Sequence, residues 1–158
     1  MVNERIYFSL PDMLRDLGVA WLDWRHASDK GYPKLMDKPI WFVMTDDDGR
    51  LIGYTTATEI EDCIYVVGNT FVSPEHRNSG FHSKLLSFRN DKLKAFGGTT
   101  IYTLLNPQGI TTPQQLRHVV SKLGYKKAKY RDMRTDTLRI RDILLLKLSR
   151  LEIWRKDL

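Results

Sequence analysis

The sequence predicts a mixed α/β fold in which a mostly antiparallel sheet of about six to seven strands is flanked by helices. The clearest signal is a hairpin, because β-rich runs at 40–45 and 51–58 enclose Asp46-Asp47-Asp48-Gly49-Arg50. Asp-Gly supplies the positive φ that a tight hairpin turn needs. A third run at 63–72 follows an acidic turn at 58–62 and completes an antiparallel meander.

An amphipathic helix is predicted over residues 81–96, ending at Gly97-Gly98 because helix C-termini favour glycine. We expect its apolar face to carry Phe81, Leu85, Leu86, Phe88, Leu93 and Phe96, and its polar face Lys84, Arg89, Asn90, Asp91 and Lys92. The other predicted elements are a strand at 4–8, a helix of about a dozen residues from Leu10, an irregular connection at 29–39, a strand at 99–105, a helix from Thr111 to Leu123, and closing strands at 125–130 and 140–148.

The composition fits one globular domain spanning residues 1–158, with 42% apolar and 28% charged residues. One cysteine, Cys63, excludes an internal disulfide and a cysteine-based zinc site. No apolar run approaches the roughly 18 residues of a membrane span, and the first residues lack the apolar core of a secretion signal. We therefore expect a cytoplasmic protein that does not contact a membrane.

The net charge of +6 is concentrated near the C-terminus. Residues 126–158 hold 11 basic and 5 acidic side chains, whereas residues 1–125 hold 14 of each. A solvated basic face, an anionic cofactor, an acidic partner and nucleic acid all remain compatible with this pattern. The aromatic residues Tyr125, Tyr130 and Trp154 lie among these charges, as in a single-strand binder, but we rank nucleic acid lowest.

Two other features have alternative interpretations. The three aspartates of the hairpin resemble part of a calcium site, but without further ligands in register we interpret them as a solvated turn and predict no metal. The C-terminal residues 151–158, with Ile153 and Trp154, either dock on a second subunit in a homodimer or cover the core of their own chain.

The stretch Val72-Ser73-Pro74-Glu75-His76-Arg77-Asn78-Ser79-Gly80-Phe81-His82-Ser83-Lys84-Leu85-Leu86 joins a strand to a helix through a short polar loop. Helix N-termini bind anions, because their first amides are free and the dipole is positive there. The stretch resembles the acyl-CoA signature of the GNAT superfamily of N-acetyltransferases, with Arg77 and Gly80 at its motif positions. His82 departs from the family's preference for Gly or Ala.

A second feature, Leu123-Gly124-Tyr125 after a helix, also resembles the family, and the likeness covers roughly residues 50–150. It implies a GNAT-like fold with acetyl-CoA as cosubstrate, its diphosphate on the amides of about residues 78–83 and its pantetheine arm beside the end of the preceding strand. The implied cofactor-binding residues are Phe71, Val72, Arg77, Asn78, Ser79, Gly80, Phe81, His82, Ser83 and Asn106.

The family reaction is direct attack of an amine on the thioester, which needs a base for the amine and benefits from an acid for the thiolate. Candidate bases are Glu59, Glu61 and Asp62, with Glu75 ranked below them; plain surface carboxylates are the alternative for all four. The family's usual acid is a tyrosine at the position of Val120. His118 and Tyr125 are the nearest substitutes.

We therefore expect an N-acyltransferase that transfers acetyl from acetyl-CoA to an amine of a small molecule or a protein. The substitutions at His82 and Val120 motivate an alternative, a catalytically inactive GNAT-fold protein that binds CoA or serves as an interaction module.

Overall fold

The computed structural model describes residues 1–17, 39–105, 113–129 and 152–158. Seven strands form one sheet in the order β1-β2-β3-β4-β5-β7-β6. The strands are β1 (Asn3–Tyr7), β2 (Ile40–Thr45), β3 (Leu51–Glu61), β4 (Ile64–Val72), β5 (Thr100–Leu105), β6 (Lys126–Lys127) and β7 (Glu152–Asp157). Every neighbouring pair is antiparallel except β4 and β5. The predicted mixed fold with a mostly antiparallel sheet is confirmed.

Three α-helices are described, namely α1 (Leu10–Leu17), α2 (Phe81–Ala95) and α3 (Pro113–Lys122). Strand side chains alternate between the two faces of the sheet, so Phe42 and Met44 pack with α2 and α3, whereas Trp41 and Val43 pack with α1. On the first face, Phe42 meets Phe88 of α2 edge to face, with ring centroids 5.8 Å apart. None of these described helices is long and apolar enough to cross a membrane.

The predicted Asp-Gly hairpin is confirmed. Asp46 Oδ1 accepts hydrogen bonds from the amides of Asp48 and Arg50, at 2.9 and 2.8 Å, and Gly49 adopts φ +76°. The side chain of Asp46 therefore serves the turn itself, as the solvated-turn interpretation expects.

The second turn is shorter than predicted. Residues 58–61 belong to β3, and Asp62 and Cys63 alone connect it to β4. Cys63 adopts φ +67°, a left-handed conformation that is uncommon for any residue other than glycine. Because turns of this kind are recognised in a sequence by glycine or asparagine, a cysteine gave no signal for the position of this turn. The predicted turn at 58–62 is therefore wrong for residues 58–61, and the strand predicted from residue 63 begins at Ile64.

The C-terminal segment is part of the sheet. β7 pairs with β5 from Thr100↔Asp157 to Leu105↔Glu152, and Ile153 and Trp154 are buried. Of the two alternatives for residues 151–158, the described part covers its own core, which removes the reason given for a homodimer. Tyr125 is buried as well, so neither it nor Trp154 is available to stack on a base. Tyr130 and the predicted strand at 140–148 lie outside the described residues, as does the connection at 29–38.

Candidate functional site

The sheet opens between its two parallel strands. β4 and β5 pair only from Ile64↔Thr100 to Val67↔Thr103, although β4 continues to Val72. The β3–β4 register shifts between Tyr54 and Thr56, and Asn69 opposite this shift adopts φ +50°. A bulge bends its strand. β4 therefore leaves β5 beyond Val67, and residues 68–72 have no partner strand on that side within the described sheet.

A cavity of about 290 Å³ occupies this opening, hereafter the strand cavity. Residues 67–70 of β4 and 103–105 of β5 form its edges, while α2 and α3 form its walls. Most of the wall is apolar, including Leu86 from α2 and Leu116 and Val120 from α3. A neutral, slender group suits such a space.

The loop between β4 and α2 has a defined conformation. Its first part is a 3-10 turn, Pro74–His76, in which Ser73 Oγ lies 2.7 Å from His76 Nδ1. Asn78 and Gly80 then adopt φ +60° and +79°. An added Cβ at Gly80 would meet no atom within 4 Å, so the backbone conformation, and not space, favours glycine there.

Free amides converge where this loop enters α2. The Lys84 amide donates the first hydrogen bond of the helix to the Gly80 carbonyl at 3.2 Å. The amides of residues 81–83 precede that bond and therefore have no acceptor within the helix. Arg77 Nε donates to the Val72 carbonyl at 3.0 Å, which fixes the guanidinium of Arg77 against the end of β4.

A second cavity, of about 470 Å³, lies against this loop, hereafter the loop cavity. It shares Thr70 and His82 with the strand cavity, so the two adjoin at these residues. Seven of the ten predicted cofactor residues line it, namely Phe71, Val72, Arg77, Asn78, Gly80, Phe81 and His82. Ser79 and Ser83 are exposed beside it, and Asn106 lies outside the described residues. That these residues hold a cofactor stays a prediction.

His82 stands where the two cavities meet. Partial desolvation of the imidazole, together with the positive charge of Arg89, lowers the pKa of His82 from its ordinary value of 6.5. The ring is therefore neutral at pH 7, and its exposed position lets it reach solvent or a ligand in either cavity.

Arg89 is buried, which corrects its predicted place on the polar face of α2. The residue is 2% exposed and lines the strand cavity. Its Nη1 donates to Thr55 Oγ1 at 3.0 Å, and its Nη2 donates to the Tyr125 hydroxyl at 3.2 Å. Thr55 Oγ1 in turn lies 2.9 Å from Thr70 Oγ1, so a polar network crosses from α2 to the bulged part of β4. Phe96, predicted on the apolar face, is 46% exposed.

The comparisons with known proteins identify the family. The model described as "Acetyltransferase (GNAT) family" matches residues 9–116, about two thirds of the chain. The chain belongs to this GNAT family. A comparison with curated proteins found no match.

Solved structures of GNAT proteins have the same fold. N-acetylglutamate synthase from Neisseria gonorrhoeae, complexed with coenzyme A and N-acetyl-glutamate, is 18% identical with a TM-score of 0.63; the match covers 100% of this chain and 35% of that one. A GNAT acetyltransferase from Staphylococcus aureus Mu50 is 12% identical with a TM-score of 0.61, covering 99% of both chains. YhbS from Escherichia coli, in complex with CoA, is 20% identical with a TM-score of 0.53, covering 79% and 68%. The chain thus spans about a third of the length of N-acetylglutamate synthase.

In this GNAT protein the candidate acids differ in position. Val120 is buried in the wall of the strand cavity, as expected for the apolar residue at the family's tyrosine position. His118 is exposed and does not line that cavity. Tyr125 does line it, and burial raises the pKa of its hydroxyl above 10.0, although the adjacent Arg89 charge acts in the opposite direction.

The candidate bases lie at the other end of the hairpin. Glu61 pairs with Ile64 at the start of β4, and about 20 Å of strand separates that point from Thr70. Glu59 accepts a hydrogen bond from the Cys63 amide at 3.2 Å, and Asp62 stands in the turn. None of these three carboxylates lines either cavity. Their role as bases stays a prediction.

Sequence reasoning missed two features of the site, and each left a signal. Arg89 follows Leu85 by four residues and Leu86 by three, which places it on the buried side of α2. Gly68-Asn69 interrupts an otherwise β-rich run, as is typical of a bulge.

Proposed function

We propose that this GNAT protein is an N-acyltransferase that transfers an acetyl group from acetyl-CoA to the amine of a small molecule or a protein. The observation that supports it is the junction of the two cavities at Thr70 and His82. An acyl-CoA has an anionic end and a long neutral arm. The loop cavity offers free helix amides to the anion, and the strand cavity offers an apolar opening to the arm.

Coenzyme A would extend across both cavities. Its diphosphate would accept hydrogen bonds from the amides of residues 78–83, where the positive end of α2 adds attraction. Its pantetheine amides would pair with main-chain groups of β4 near Phe71 and Val72. Asn106 follows β5 directly in sequence and would contact the arm from the opposite strand. The GNAT structures solved with coenzyme A support this arrangement through their shared fold.

The reaction is direct acyl transfer. The amine nitrogen attacks the thioester carbon, a C–N bond forms as the C–S bond breaks, the amine loses one proton to a base, and the thiolate gains one. Tyr125 is our candidate acid, because it lines the strand cavity and its raised pKa keeps it protonated at pH 7. Its oxygen accepts from Arg89, which leaves its own O–H free to donate. Glu59, Glu61 and Asp62 would each have to act as base through water.

Thermal unfolding with acetyl-CoA and with free CoA tests the binding step. A ligand that binds only the folded state raises the free energy of unfolding by about 2.7 kcal/mol at a hundredfold excess over its Kd. Saturable stabilisation by both ligands, followed by release of free thiol with a panel of amines, is the expected result. Tyr125→Phe should lower the rate of thiol release and leave CoA affinity unchanged. Absence of stabilisation at millimolar CoA would refute the proposal.

The alternative is an inactive CoA-binding module, which the apolar side chain of Val120 in the cavity wall favours. It predicts saturable stabilisation by CoA with no thiol release over any amine tested. The same two measurements therefore separate the alternatives.

A further inference from the structure

The buried guanidinium of Arg89 has only neutral partners within the described part of the chain. Its hydrogen bonds go to the hydroxyls of Thr55 and Tyr125 and to the side-chain oxygen of Asn90, at 3.0 to 3.2 Å. These contacts use both N–H groups of Nη2, that of Nε and one of the two on Nη1, so one N–H has no partner among the described residues. No carboxylate of the described residues pairs with Arg89.

A buried cation without a counter-charge is costly. Desolvation lowers the pKa of Arg89 from 12.5, although not enough to deprotonate a guanidinium at neutral pH. Buried charges in proteins are normally paired, because neutral hydroxyls replace only part of the lost hydration. Arg89 therefore calls for an anion that the described fold does not supply.

The position of Arg89 indicates where that anion would lie. Arg89 is among the residues that line the strand cavity, whose walls are otherwise mostly apolar, and His82 at the cavity junction is neutral at pH 7. Under the proposed function, the diphosphate lies at the other end of the ligand, in the loop cavity. The anion facing Arg89 is therefore a different group, close to the reacting atoms.

We propose that the strand cavity binds a carboxylate, which pairs with Arg89 and leaves the hydroxyl of Tyr125 for the thiolate. This inference rests on the proposed function and restricts its possible donors or acceptors to compounds that carry a carboxylate. The carboxylate has two possible sources, the far end of a dicarboxylic acyl group on the CoA donor, or the carboxylate of an amino-acid-like acceptor used with acetyl-CoA. Either source gives an anion whose oxygen can accept a charge-assisted hydrogen bond from the one N–H of Arg89 that has no partner among the described residues.

Paired ligands that differ only in charge test the first source. Carboxymethyl-CoA and carbamidomethyl-CoA carry a carboxylate and its neutral amide on the same stable thioether, and calorimetry compares their Kd values. A hydrogen bond to a charged group contributes about 1.5–3 kcal/mol, so we expect a preference of roughly 10- to 100-fold for the carboxylate. This comparison needs only the wild-type protein, so it does not depend on the folding of a variant.

Glycine and glycinamide test the second source. With acetyl-CoA as donor, a carboxylate site for the acceptor predicts a kcat/KM at least about tenfold higher for glycine at equal concentration of neutral amine. The expected result for the proposal as a whole is a preference for the carboxylate in one of the two comparisons, and the comparison that shows it identifies the source.

Variants then assign the preference to Arg89. Arg89→Gln should abolish it, and because both ligands of a pair are compared in the same variant, a change in overall CoA affinity does not affect the ratio. Lys92→Gln, which removes an exposed positive charge from the same helix, should retain it in full. Binding of free CoA without any carboxylate preference would overturn this inference alone, as would an undiminished preference in Arg89→Gln. No binding of CoA would overturn the proposed function together with this inference.

Discussion

Gly53→Ala tests how closely β3 approaches β4 beside the loop cavity. Gly53 pairs with Val72, and a Cβ added to it would lie 2.4 Å from the Phe71 carbonyl oxygen and 3.3 Å from Val72 Cα. These are backbone atoms that no side-chain rotation can move. To bring the Cβ–oxygen separation from 2.4 Å to at least 3.0 Å, the two strands must separate locally by about 0.6 Å.

The expected cost combines overpacking, about 1–3 kcal/mol, with a weakened ladder hydrogen bond of about 1 kcal/mol. We therefore expect the free energy of unfolding to fall by about 2–4 kcal/mol and Tm by about 5–15 °C. CoA affinity should fall as well, because the displaced residues are those that would pair with pantetheine. Thermal unfolding and calorimetric titration with CoA measure the two effects.

Gly49→Ala is the matched control. It makes the same chemical change in the neighbouring hairpin, at φ +76° and with no atom within 4 Å of the new Cβ. Only backbone strain of about 1 kcal/mol is expected there, with unchanged CoA affinity. A Gly53→Ala protein that unfolds at the wild-type temperature would refute the close approach on which the argument depends.

Four further predictions concern the loop and the ionisable groups. Gly80→Val forces a branched side chain into φ +79°, so we expect CoA affinity measured by calorimetry to fall at least about tenfold; wild-type affinity would show that this loop does not hold the diphosphate. The pKa of His82 in the folded protein lies below 6.5, so as pH falls the unfolded chain binds this proton before the folded protein does. The free energy of unfolding therefore decreases as pH falls below about 6.5. Thermal unfolding measured against pH should show a smaller decrease of Tm in His82→Gln than in the wild type. An anion in the loop cavity should raise the pKa of His82, so CoA binding near pH 6 should take up protons in calorimetry with buffers of different ionisation enthalpy, and no uptake would place His82 away from the phosphates. Hydrogen bonds from Arg117 lower the pKa of Glu152 from 4.5 to about 2. Arg117→Gln should therefore lower Tm at pH 7, and the difference in Tm from the wild type should shrink below pH 4.5 and disappear near pH 2. A difference in Tm that does not change with pH would show that the ion pair is not its cause.

The sequence was most informative where short-range signals decide the structure. The Asp-Gly turn, the extent of α2 and the glycine after it depend on residues a few positions apart, and the structure confirms all three. The same holds for the conformation of the loop before α2, which follows from Gly80 and the start of a helix. Family membership and the mixed fold followed from these local features.

The features that the sequence did not predict depend on contacts between residues far apart in the chain. The helical period places Arg89 on the buried side of α2, but the sequence does not show its hydrogen-bond acceptors, the hydroxyls of Thr55 and Tyr125, which lie 34 and 36 residues away. The predicted strand at 140–148 lies outside the described residues and stays a prediction, whereas the described strand Glu152–Asp157 was missed because only its pairing with β5 identifies it. The candidate bases precede the loop by only about 15 residues in the sequence, but the structure places them at the far end of β4. Only the pairing of β3 with β4 shows this separation, which concerns Glu59, Glu61 and Asp62.

The late position of β7 in the chain affects how the protein is made. β1 to β4 pair in sequence order, so this half of the sheet can form while the ribosome is still translating residues beyond 72. β5 is synthesised about fifty residues before β7, the strand that covers one of its edges over six residue pairs. Until β7 arrives, that edge is open to pairing with other nascent chains. We expect the half of the sheet formed by β5, β7 and β6 to fold slowly. We also expect the nascent chain to need chaperones until residues 152–157 have left the ribosome.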